Sequence, residues 1–471
     1  MDQSEPFTFI LSTMIQRRIF ILLVAAVFLI FFTGTFFFGA PAPLRSRPLV
    51  VHDASNSAGH ESAEKPTVGG ETPDLVAPPT SPPADAADGN LHITITETGG
   101  SHDEVVAALV HSFGSQPSAV LKLYQLLPRY GIINVMRDFA LTNPLPNPKS
   151  PDVYKKVDSL QRRPDIFVAG TCELDIVYFR EQLGALLAER KTYLFCVVHH
   201  ADRWAGKSRE LENLITPWVD AGLVEFLTLS PHTATFLKEQ SISKWQTKTE
   251  AKVRSFVPVF PVPLPEAPTG TGADKEELSF ALQGDYDPSR RDYRGVFTLL
   301  NSLLQSGNTT SADDEQPDRN VTVHLLGHGK HPDVPPEIRE HVKFDERLKY
   351  NEFYSIISRT FALLPAFANN EYLDRKASSS VPAALIGGTP LVATQAIVDA
   401  YSYLDHDVVW LQGPNELDLD VVRRILNMGP KERRQKKELV RKKCTAIILK
   451  NGKSLEGWIT DAMAKIKNAQ F

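Results

Sequence analysis

The sequence predicts an α/β protein with two tandem Rossmann-like domains that face each other across a cleft. Strand-like apolar runs alternate with helical stretches between residues 91 and 262, and the alternation restarts from 278 to 445. Between these regions, five prolines from Pro258 to Pro268 and a Thr-Gly-Thr-Gly run favour an extended connector. We therefore place a linker at 263–277. Because ligands of parallel sheets bind beyond the carboxyl ends of the strands, the cleft is the expected ligand site.

The N-terminal region precedes these domains. After a short tail at 1–18, residues 19–40 carry no charged side chain. A helix of this length spans roughly 33 Å, enough for the bilayer hydrocarbon, so we expect an uncleaved transmembrane anchor. A cleaved signal sequence is the alternative, because the Ala40-Pro41-Ala42 triplet resembles a cleavage site. Residues 41–90 contain nine prolines and no Phe, Tyr or Trp, which predicts a disordered stem.

Orientation of the predicted anchor depends on two sequons. Arginines flank both sides of the apolar run, so the positive-inside rule does not decide. Glycosylation sequons at Asn308 and Asn320 favour a lumenal C-terminal region, and thus a type II protein of the Golgi or endoplasmic reticulum. The alternative is a soluble cytosolic α/β enzyme with a spurious hydrophobic leader.

The first domain opens with a predicted strand, a Gly-Gly turn and a helix at 103–113. A second helix is predicted at 177–189. The three cysteines are too few for a disulfide framework; we expect Cys172 and Cys196 to be buried thiols, with a single bridge as the alternative. The predicted strands cover 92–96, 132–138, 165–169, 192–198, 223–229 and 253–259.

The second domain repeats the pattern. We expect a C-terminal element, 446–471, to be a helix that packs back, with amphipathic spacing from 455 to 466. Lys431 to Lys443 is a basic run on a predicted helix. A solvated helix face is the simpler interpretation, and a contact with a membrane surface or an acidic partner is the alternative. The predicted strands cover 278–283, 321–326, 342–344 and 360–364, and the predicted helices 294–305 and 350–359.

Charge and motif content exclude several functions. The net charge of -5 and pI near 6.2 argue against a nucleic-acid-binding protein, so an anionic ligand requires local basic groups. No Walker loop, G-x-G-x-x-G, G-x-S-x-G or H-E-x-x-H occurs. These absences argue against P-loop hydrolysis, dinucleotide binding, serine hydrolysis and zinc proteolysis.

Candidate phosphate contacts cluster in the second domain. The stretch from Asp374 to Thr394 predicts a loop, a helix, a turn and a buried strand, and an ordinary capped helix is the alternative to a diphosphate site. Basic side chains follow the first two strands of this domain, where guanidinium groups suit phosphate. The candidates are Ser378, Ser379 and Ser380 at the helix start, Lys376 before it, and Arg290, Arg291, Arg294 and Lys330. Asp285-Tyr-Asp287 resembles a metal-binding D-x-D, but a turn is the simpler account.

Candidate groups for acceptor chemistry lie in the first domain. His102 follows the Gly99-Gly100 turn, and His199 and His200 follow the strand at 192–198. Imidazole is suited to deprotonating a hydroxyl because it titrates near neutral pH. The alternative for each is a rim histidine without a catalytic role.

The segment Lys376 to Thr394, KASSSVPAALIGGTPLVAT, resembles the C-terminal half of GT-B fold glycosyltransferases of the broad group-1 type, most of all fungal membrane-anchored members. The resemblance implies that the second domain holds a nucleotide sugar and the first an acceptor, with no obligatory metal. It implies phosphate contacts at Arg290, Arg291 and Lys330 and a diphosphate loop at residues 378–380. Many relatives also carry two glutamates eight positions apart; here those positions hold Arg375 and Ala383, while Glu371 and Asp374 lie close.

The sequence therefore predicts a type II membrane glycosyltransferase of the secretory pathway. Its co-substrate is a nucleotide sugar, its acceptor is a hydroxyl on a glycan, protein or lipid, and it requires no metal or other cofactor. The alternative is a non-catalytic subunit of the same fold that binds a glycan or a protein partner. Ala383 in place of a carboxylate keeps that alternative open.

Overall fold

A computed structural model describes residues 89–158, 163–206, 209–265, 278–306 and 321–469, all within the unit Pro83–Phe471. The predicted tail, the predicted anchor, nearly all of the stem, residues 266–277 of the linker, and both sequon asparagines lie outside the described residues. Across the described ranges, no helix is both long and apolar enough to cross a membrane.

The N-terminal domain is built on a six-stranded parallel sheet in the order β2-β1-β3-β4-β5-β6. Strand β4 is buried at every position, as expected for a parallel strand with both faces covered. The strands are β1 (Leu91–Glu97), β2 (Ala119–Gln125), β3 (Ile166–Ala169), β4 (Tyr193–Val198), β5 (Val224–Thr228) and β6 (Lys252–Ser255).

Eight α-helices of this domain lie in the described part of the chain, and one 3-10 turn, Ile242–Lys244, follows the last of them. They are α1 (Asp103–Gly114), α2 (Ile132–Arg137), α3 (Pro151–Lys156), α4 (Cys172–Tyr178), α5 (Arg180–Glu189), α6 (Ala201–Trp204), α7 (Glu210–Asp220) and α8 (Pro231–Gln240). The helix expected at 177–189 is thus two helices, α4 and α5, which meet at Phe179.

The C-terminal domain has a second parallel sheet in the order β12-β11-β10-β7-β8-β9. Its strands are β7 (Leu278–Gln283), β8 (Val321–Gly327), β9 (Val342–Glu346), β10 (Ala362–Leu363), β11 (Leu391–Ala393) and β12 (Val409–Leu411). Its helices are α9 (Tyr293–Ser306), α10 (Tyr350–Arg359), α11 (Glu371–Asp374), α12 (Ser380–Gly387), α13 (Gln395–Ala400) and α14 (Asp418–Asn427), with a 3-10 turn at Pro336–His341.

A single long helix, α15 (Pro430–Ala469), completes the fold and contacts both domains. Within its C-terminal half, the amide of Asn451 donates to the carbonyl of Val257 at 2.7 Å, and Asp461 pairs with Lys252 at 3.7 Å. One hydrophobic core continues from the first sheet through α10, α12 and α15, and a second fills the other face of the C-terminal sheet. The segment expected as a separate helix from 446 is the second half of α15.

One strand prediction in the first domain was wrong, and one strand was missed. Residues 132–138 form helix α2, because Gly131 in the left-handed conformation starts a turn and Ile132, Val135 and Met136 are buried at helical spacing. The β-branched residues of this segment had favoured a strand. The missed strand is β2, which pairs with β1 along seven residues; its first four positions alternate between buried and half-buried, and its last three are buried.

The Pro-rich connector begins later than its proline content suggested. Phe256, Val259 and Phe260 are fully buried and belong to the hydrophobic core. Prolines therefore do not prevent this stretch from packing, since an extended chain can still bury alternate side chains.

The basic run 431–443 has partly structural roles. Lys437 donates to the carbonyl of Thr360 at 3.0 Å and also to that of Ser358, and Lys443 pairs with Asp405 at 2.7 Å. Arg433 is buried and donates to the carbonyls at the end of α14. Part of the positive charge thus caps backbone carbonyls, which is a favourable use of a cation.

Cys172 and Cys196 form a disulfide, so the prediction of two thiols was wrong. The first cysteine begins α4 and the second lies in β4, with Cα atoms 5.1 Å apart, within the range that a bridge requires. Sequence separation gave no indication of this approach, because it depends on how the helix packs on the sheet.

Candidate functional site

The carboxyl ends of both sheets open onto a cleft of about 700 Å³. Eight of the predicted site residues line it: His102, His199 and His200 from the first domain, and Arg290, Glu371, Lys376, Ser378 and Ser379 from the second. The other five, Arg291, Arg294, Lys330, Asp374 and Ser380, are not among its lining residues. The cleft thus brings the two predicted groups together on opposite walls.

Two imidazole rings stack on the first wall. The ring centroids of His102 and His199 lie 3.9 Å apart with a tilt of 34°. His102 follows the turn at Gly100, which has a φ of +66° and so favours glycine. His199 Nε2 lies 2.7 Å from the carbonyl oxygen of Gly170, which assigns the proton of the neutral ring to Nε2.

Both stacked rings are neutral near pH 7. Burial lowers the pKa of His199 to about 4. Burial, with the nearby His199 and His200, also holds the pKa of His102 well below its usual range. Burial lowers the pKa of His200 as well. Neutral His102 therefore has one ring nitrogen without a proton, which can accept a proton, and its lowered pKa makes it a weaker base than an exposed imidazole.

A buried carboxylate fixes the loop that carries His199 and His200. Oε1 of Glu173 accepts the backbone N–H of His199 at 2.9 Å and that of His200 at 2.8 Å, and the indole N–H of Trp204 at 3.2 Å. Glu173 directly follows Cys172 of the disulfide, which ties the start of α4 to β4. The disulfide and the carboxylate together hold the histidine loop against the sheet.

A second buried carboxylate, Asp175, organises the end of β1. It accepts from the hydroxyls of Thr96 at 3.0 Å and Thr98 at 2.6 Å, and from the backbone N–H of Thr98 at 2.9 Å and Thr171 at 3.1 Å. Burial raises the pKa of Asp175 to about 7, although these donors favour the ionised form. Glu97 similarly accepts from the N–H of Gly100 at 3.0 Å and so shapes the turn before His102.

Several residues of the cleft were missed from the sequence. Asp103 and Glu104 follow His102 at the start of α1 and line the cleft, and burial raises the pKa of Asp103 to about 7. Arg129 and Tyr350 also line it. The position of Asp103 directly after a predicted site histidine was a usable signal; Tyr350 enters from the other domain, which no local pattern reveals.

Arg290 contributes a guanidinium group to the second wall of the cleft. Its Nε donates to the hydroxyl of Tyr372 at 2.7 Å, and its Nη1 pairs with Asp285 at 3.3 Å. The side chain is 39% exposed, so it is accessible from the cleft. Asp285 also meets Nδ1 of the cleft residue His328 at 2.7 Å, and Asp287 accepts from Ser289 within the same turn.

Arg291, in contrast, is turned away from the cleft. It is 2% exposed, and its Nη2 donates to the carbonyl of Gln283 at 3.0 Å and to the hydroxyl of Ser380 at 2.9 Å. Its guanidinium also lies over the rings of Phe367 and Tyr372. In this conformation Arg291 is a core residue and cannot serve as the expected phosphate contact.

Three other predicted residues outside the cleft are surface side chains. Arg294, Lys330 and Asp374 are all exposed. Lys330 lies in the loop after β8, but His328 of the same loop is the residue that lines the cleft. The prediction therefore placed this loop correctly at the cleft but chose the wrong side chain, because His328 faces the cleft and Lys330 does not.

Lys376 and Glu371 form an ion pair at the rim of the second wall. Lys376 Nζ lies 2.9 Å from Oε2 of Glu371, whose Oε1 meets Arg375 at 2.6 Å. Hydrogen bonds from Lys376 and Arg375 hold the pKa of Glu371 below its usual range. A ligand anion that enters the cleft would compete with Glu371 for Lys376.

The three serines differ in environment. Ser378 and Ser380 are buried and Ser379 is exposed. The hydroxyl of Ser378 accepts the N–H of Ser380 at 3.3 Å, while those of Ser379 and Ser380 donate to the side chain of Gln283 at 3.1 and 3.0 Å. The hydrogen bonds of Ser380 therefore stabilise the loop, whereas Ser378 and Ser379 line the cleft.

The segment after these serines folds as expected. Helix α12 ends at Gly387 and is capped by Gly388, whose φ of +65° places it in the left-handed region, and a Cβ at Gly388 would lie 2.6 Å from Arg441. Ala383 of this helix lines the cleft and is 5% exposed. The position where the resemblance stated above would place a glutamate thus faces the cleft and offers only a methyl group.

No metal-binding cluster appears in the described ranges, where no group of three or more His, Cys, Asp and Glu side chains is arranged to hold an ion. Asp285 and Asp287 are engaged in the ion pairs and turn contacts given above. The turn contacts account for Asp287, and the ion pairs with Arg290 and His328 account for Asp285.

The walls also contact each other directly. The backbone of His200 pairs with that of Lys376 as an antiparallel bridge. Asp202 lies 3.9 Å from Arg375, and the N–H of Tyr350 donates to the carbonyl of Tyr130 at 2.9 Å. The cleft is thus closed at two places by contacts between the domains.

Comparison with known proteins supports the fold. No protein-family model matches the chain, and no curated protein matches its sequence. The Anabaena protein Alr3699/HepE, crystallised with UDP and glucose, is similar in structure with a TM-score of 0.51 and 11% identity, over 79% of this chain and 100% of that one. Its complex with UDP has a TM-score of 0.50 and 12% identity over the same shares. The prediction of two Rossmann-like α/β domains is confirmed.

Proposed function

We propose that the chain is a glycosyltransferase that transfers a sugar from a nucleoside-diphosphate sugar to an acceptor hydroxyl. The observation that carries this proposal is the pairing of walls in one cleft: Arg290 and Lys376 on one side, and the neutral His102 on the other. The fold of a protein crystallised with UDP and glucose supports the same ligand class.

The chemistry follows from these positions. His102 accepts the proton of the acceptor hydroxyl while its oxygen bonds to the anomeric carbon of the sugar, and the bond from that carbon to the diphosphate oxygen breaks. Negative charge then grows on the leaving diphosphate. Arg290 and Lys376 stabilise it, because they meet that charge with hydrogen bonds from fixed cations.

The donor site is tested by titrating the purified full chain with UDP and with GDP. We expect one of them to bind, and Arg290→Ala to weaken binding ~10-fold or more, since a charge-assisted hydrogen bond contributes ~1.5–3 kcal/mol. Arg294→Ala is the matched control, because Arg294 is an exposed arginine outside the cleft. Equal affinity of the two variants would contradict the assignment of Arg290.

A non-catalytic subunit is the second candidate, and the methyl group of Ala383 in the cleft favours it. Incubation with nucleotide sugars and mixed acceptors, followed by analysis of released nucleoside diphosphate, separates the two. An enzyme releases it continuously, whereas a binding subunit retains the nucleotide sugar unchanged.

We further propose a type II membrane protein of the Golgi or endoplasmic reticulum. The uncharged run 19–40 and the sequons at Asn308 and Asn320 support this topology. The disulfide Cys172–Cys196 also supports it, because such bonds persist in oxidising compartments. Endoglycosidase digestion of the full chain from a eukaryotic host should shift its mobility, and Asn308→Gln with Asn320→Gln should abolish the shift. A chain that carries no glycan contradicts the lumenal orientation.

A further inference from the structure

The second wall of the cleft follows the order of the strands in the C-terminal sheet. Neighbouring strands run β10-β7-β8-β9. Lys376 follows β10, Arg290 follows β7, Asp345 lies near the end of β9, and all three line the cleft. Among the described residues, no lining residue belongs to β11, β12 or the loops after them. A nucleotide whose diphosphate meets Arg290 and Lys376 therefore extends along this wall toward β9.

The spacing of these positions leaves room for a ribose. Adjacent strands lie ~4.8 Å apart, so the ends of β7 and β9 are roughly 10 Å apart. Between them, Gly284 and Gly327 line the cleft, and a Cβ at Gly327 would overlap the carbonyl of Gly284. With the diphosphate at Arg290 and the ribose over these glycines, the base of the nucleotide lies beside Asp345.

A buried histidine holds the carboxylate of Asp345. Its Oδ2 lies 2.7 Å from Nδ1 of His324, a residue of β8 that is 8% exposed. A carboxylate oxygen only accepts hydrogen bonds, so Nδ1 carries the proton and donates it. This contact uses one of about four acceptor positions on the two carboxylate oxygens. Asp345 is thus oriented by His324 and retains acceptor positions for a ligand.

The two residues after Asp345 differ in their placement. Glu346 is exposed, pairs with His331 at 3.3 Å and is not among the residues that line the cleft. Arg347 does line the cleft, and its φ of +53° places it in the left-handed region, which side chains other than glycine rarely adopt. Asp345 and Arg347 therefore present a hydrogen-bond acceptor and a hydrogen-bond donor side by side.

This pair of side chains discriminates between nucleobases. Guanine presents two adjacent donors, N1–H and the N2 amino group, next to the acceptor O6. Uracil presents a single donor, N3–H, between two carbonyl oxygens, and one of these would face the carboxylate. Adenine and cytosine present an amino group beside an unprotonated ring nitrogen, which a carboxylate repels. Guanine is the base that meets Asp345 with two hydrogen bonds and Arg347 with a third.

We propose that Asp345 is a specificity-determining residue that selects a guanine nucleotide, so that the sugar donor is a GDP-sugar. Asp345 accepts from N1–H and the N2 amino group, Arg347 donates to O6, and His324 is a positioning residue for Asp345. The inference rests on the proposed function, because Arg290 and Lys376 set the position of the diphosphate.

Titration of the purified full chain with three nucleoside diphosphates tests the selection of the base. The probes are GDP, UDP and inosine diphosphate, which has the guanine ring without the N2 amino group. We expect GDP to bind most tightly and inosine diphosphate to bind ~10-fold or more weakly, because one charge-assisted hydrogen bond is lost. Equal affinity for GDP and inosine diphosphate, or tighter binding of UDP, would overturn the proposal.

Asp345→Asn adds a test by exchange of specificity. Xanthine carries a carbonyl at position 2 where guanine carries the amino group, and the asparagine amide donates to such a carbonyl. The affinity for GDP should fall ~10-fold or more, and the affinity for xanthosine diphosphate should rise above that of the unmodified chain. A purely structural role predicts no gain for any base. An equal loss for GDP, UDP and inosine diphosphate would place Asp345 at the ribose and overturn the proposal.

Glu346→Gln is the matched control, because Glu346 is an exposed carboxylate next to Asp345 and outside the cleft lining. It should retain all affinities of the unmodified chain, and a change of base preference in this variant would contradict the assignment to Asp345.

The same titrations separate this inference from the proposed function. If UDP binds most tightly and Arg290→Ala weakens it, the donor site stands and the guanine assignment fails. If none of the nucleotides binds, both fail. If the selection of GDP holds but no nucleotide sugar is turned over, the base site stands and the chain is the non-catalytic subunit considered above.

Discussion

The two walls of the cleft are built in opposite ways. On the first wall, His102 and His199 stack above backbone turns that are held by the buried carboxylates of Glu97, Glu173 and Asp175. On the second wall, Arg290 and Lys376 remain 39% and 25% exposed. On the first wall His199 is buried and His102 half-buried, and both are neutral, while Arg290 and Lys376 of the second wall are partly exposed and charged.

This difference matches the demands of two kinds of chemistry. A base that removes a hydroxyl proton must be neutral before the reaction, and burial keeps imidazole neutral. An anion site must exchange its counter-ion for a ligand, which is easier when the carboxylate partner is at the surface and its ion pair is weak. The comparison predicts that substitutions on the first wall reduce turnover or the free energy of unfolding far more than substitutions on the second wall.

The largest expected effect is on turnover. His102→Asn removes the proposed base, and sugar transfer should fall ~10²–10⁴-fold with unchanged nucleotide affinity. The measurement is the rate of nucleoside-diphosphate release under saturating donor. His328→Asn is the control on the second wall, since His328 lines the same cleft and should affect turnover much less. Equal losses in both variants would remove the distinction between the walls.

The next largest effect is on stability. Asp175→Ala leaves the donors of Thr96, Thr98 and Thr171 without their buried acceptor, which should lower the free energy of unfolding by ~3 kcal/mol or more. Asp287→Ala is the matched change at an exposed turn and should cost less than ~1 kcal/mol. Urea denaturation of both variants provides the values, and similar midpoints would show that the first wall tolerates the loss of its carboxylate.

The third effect is a pH dependence of the free energy of unfolding that arises from His199. Its pKa of about 4 in the folded chain lies below the ordinary value, so the folded state binds fewer protons than the unfolded one between these values. The contribution of the neutral His199 ring to the free energy of unfolding is fully present above pH ~6.5 and is lost as the pH falls through 4. The total loss is about 3 kcal/mol. His199→Gln should lack this part of the acid destabilisation.

Unfolding free energies of the unmodified chain and of His199→Gln, measured from pH 7.5 to 4.5, check this sign. The difference between the two curves should shrink toward acid pH. Parallel curves would mean that the pKa of His199 is the same in the folded and unfolded chains, and that burial does not keep this ring neutral in mild acid.

The smallest effect belongs to the second wall. Glu371→Gln removes the carboxylate that pairs with Arg375 and Lys376, and stability should change by only ~0.2–1 kcal/mol because all three side chains are partly exposed. Nucleotide affinity should stay equal or rise, since Lys376 loses a competitor. Thermal unfolding and UDP titration measure both; a large loss of stability would make the two walls alike.

The sequence predicted the second domain better than the first. Strand β7 and helix α10 have the predicted bounds because their apolar periodicity is strong and unambiguous. At Ile132, β-branched residues favoured a strand, and tertiary burial at helical spacing decided otherwise. The disulfide depends on the packing of α4 on β4, which no spacing in the sequence encodes.

Two adjacent arginines show that the sequence also cannot indicate which side chains of a loop face the cleft. Arg290 and Arg291 are equivalent in the sequence, yet one faces the cleft and the other is enclosed by Gln283 and Ser380. Which of two neighbours points outward depends on the turn after β7 and on the serine loop that packs over it. The sequence identified the loops of the cleft, and the fold decided which side chains enter it.

Helix α15 has mechanical consequences for the pair of domains. At 40 residues it forms a rod of ~60 Å that is anchored at both ends, so the domains cannot separate without bending it. Its bending resistance is uneven, because Gly452 and Gly457 have open space where a Cβ would lie and each weakens a helix by ~1 kcal/mol relative to alanine. Gly452 follows Asn451, which is bonded to the first domain. Both glycines lie between Asn451 and Asp461, which bond to the first domain, so any flexing of the rod should concentrate in the segment of α15 that packs on that domain.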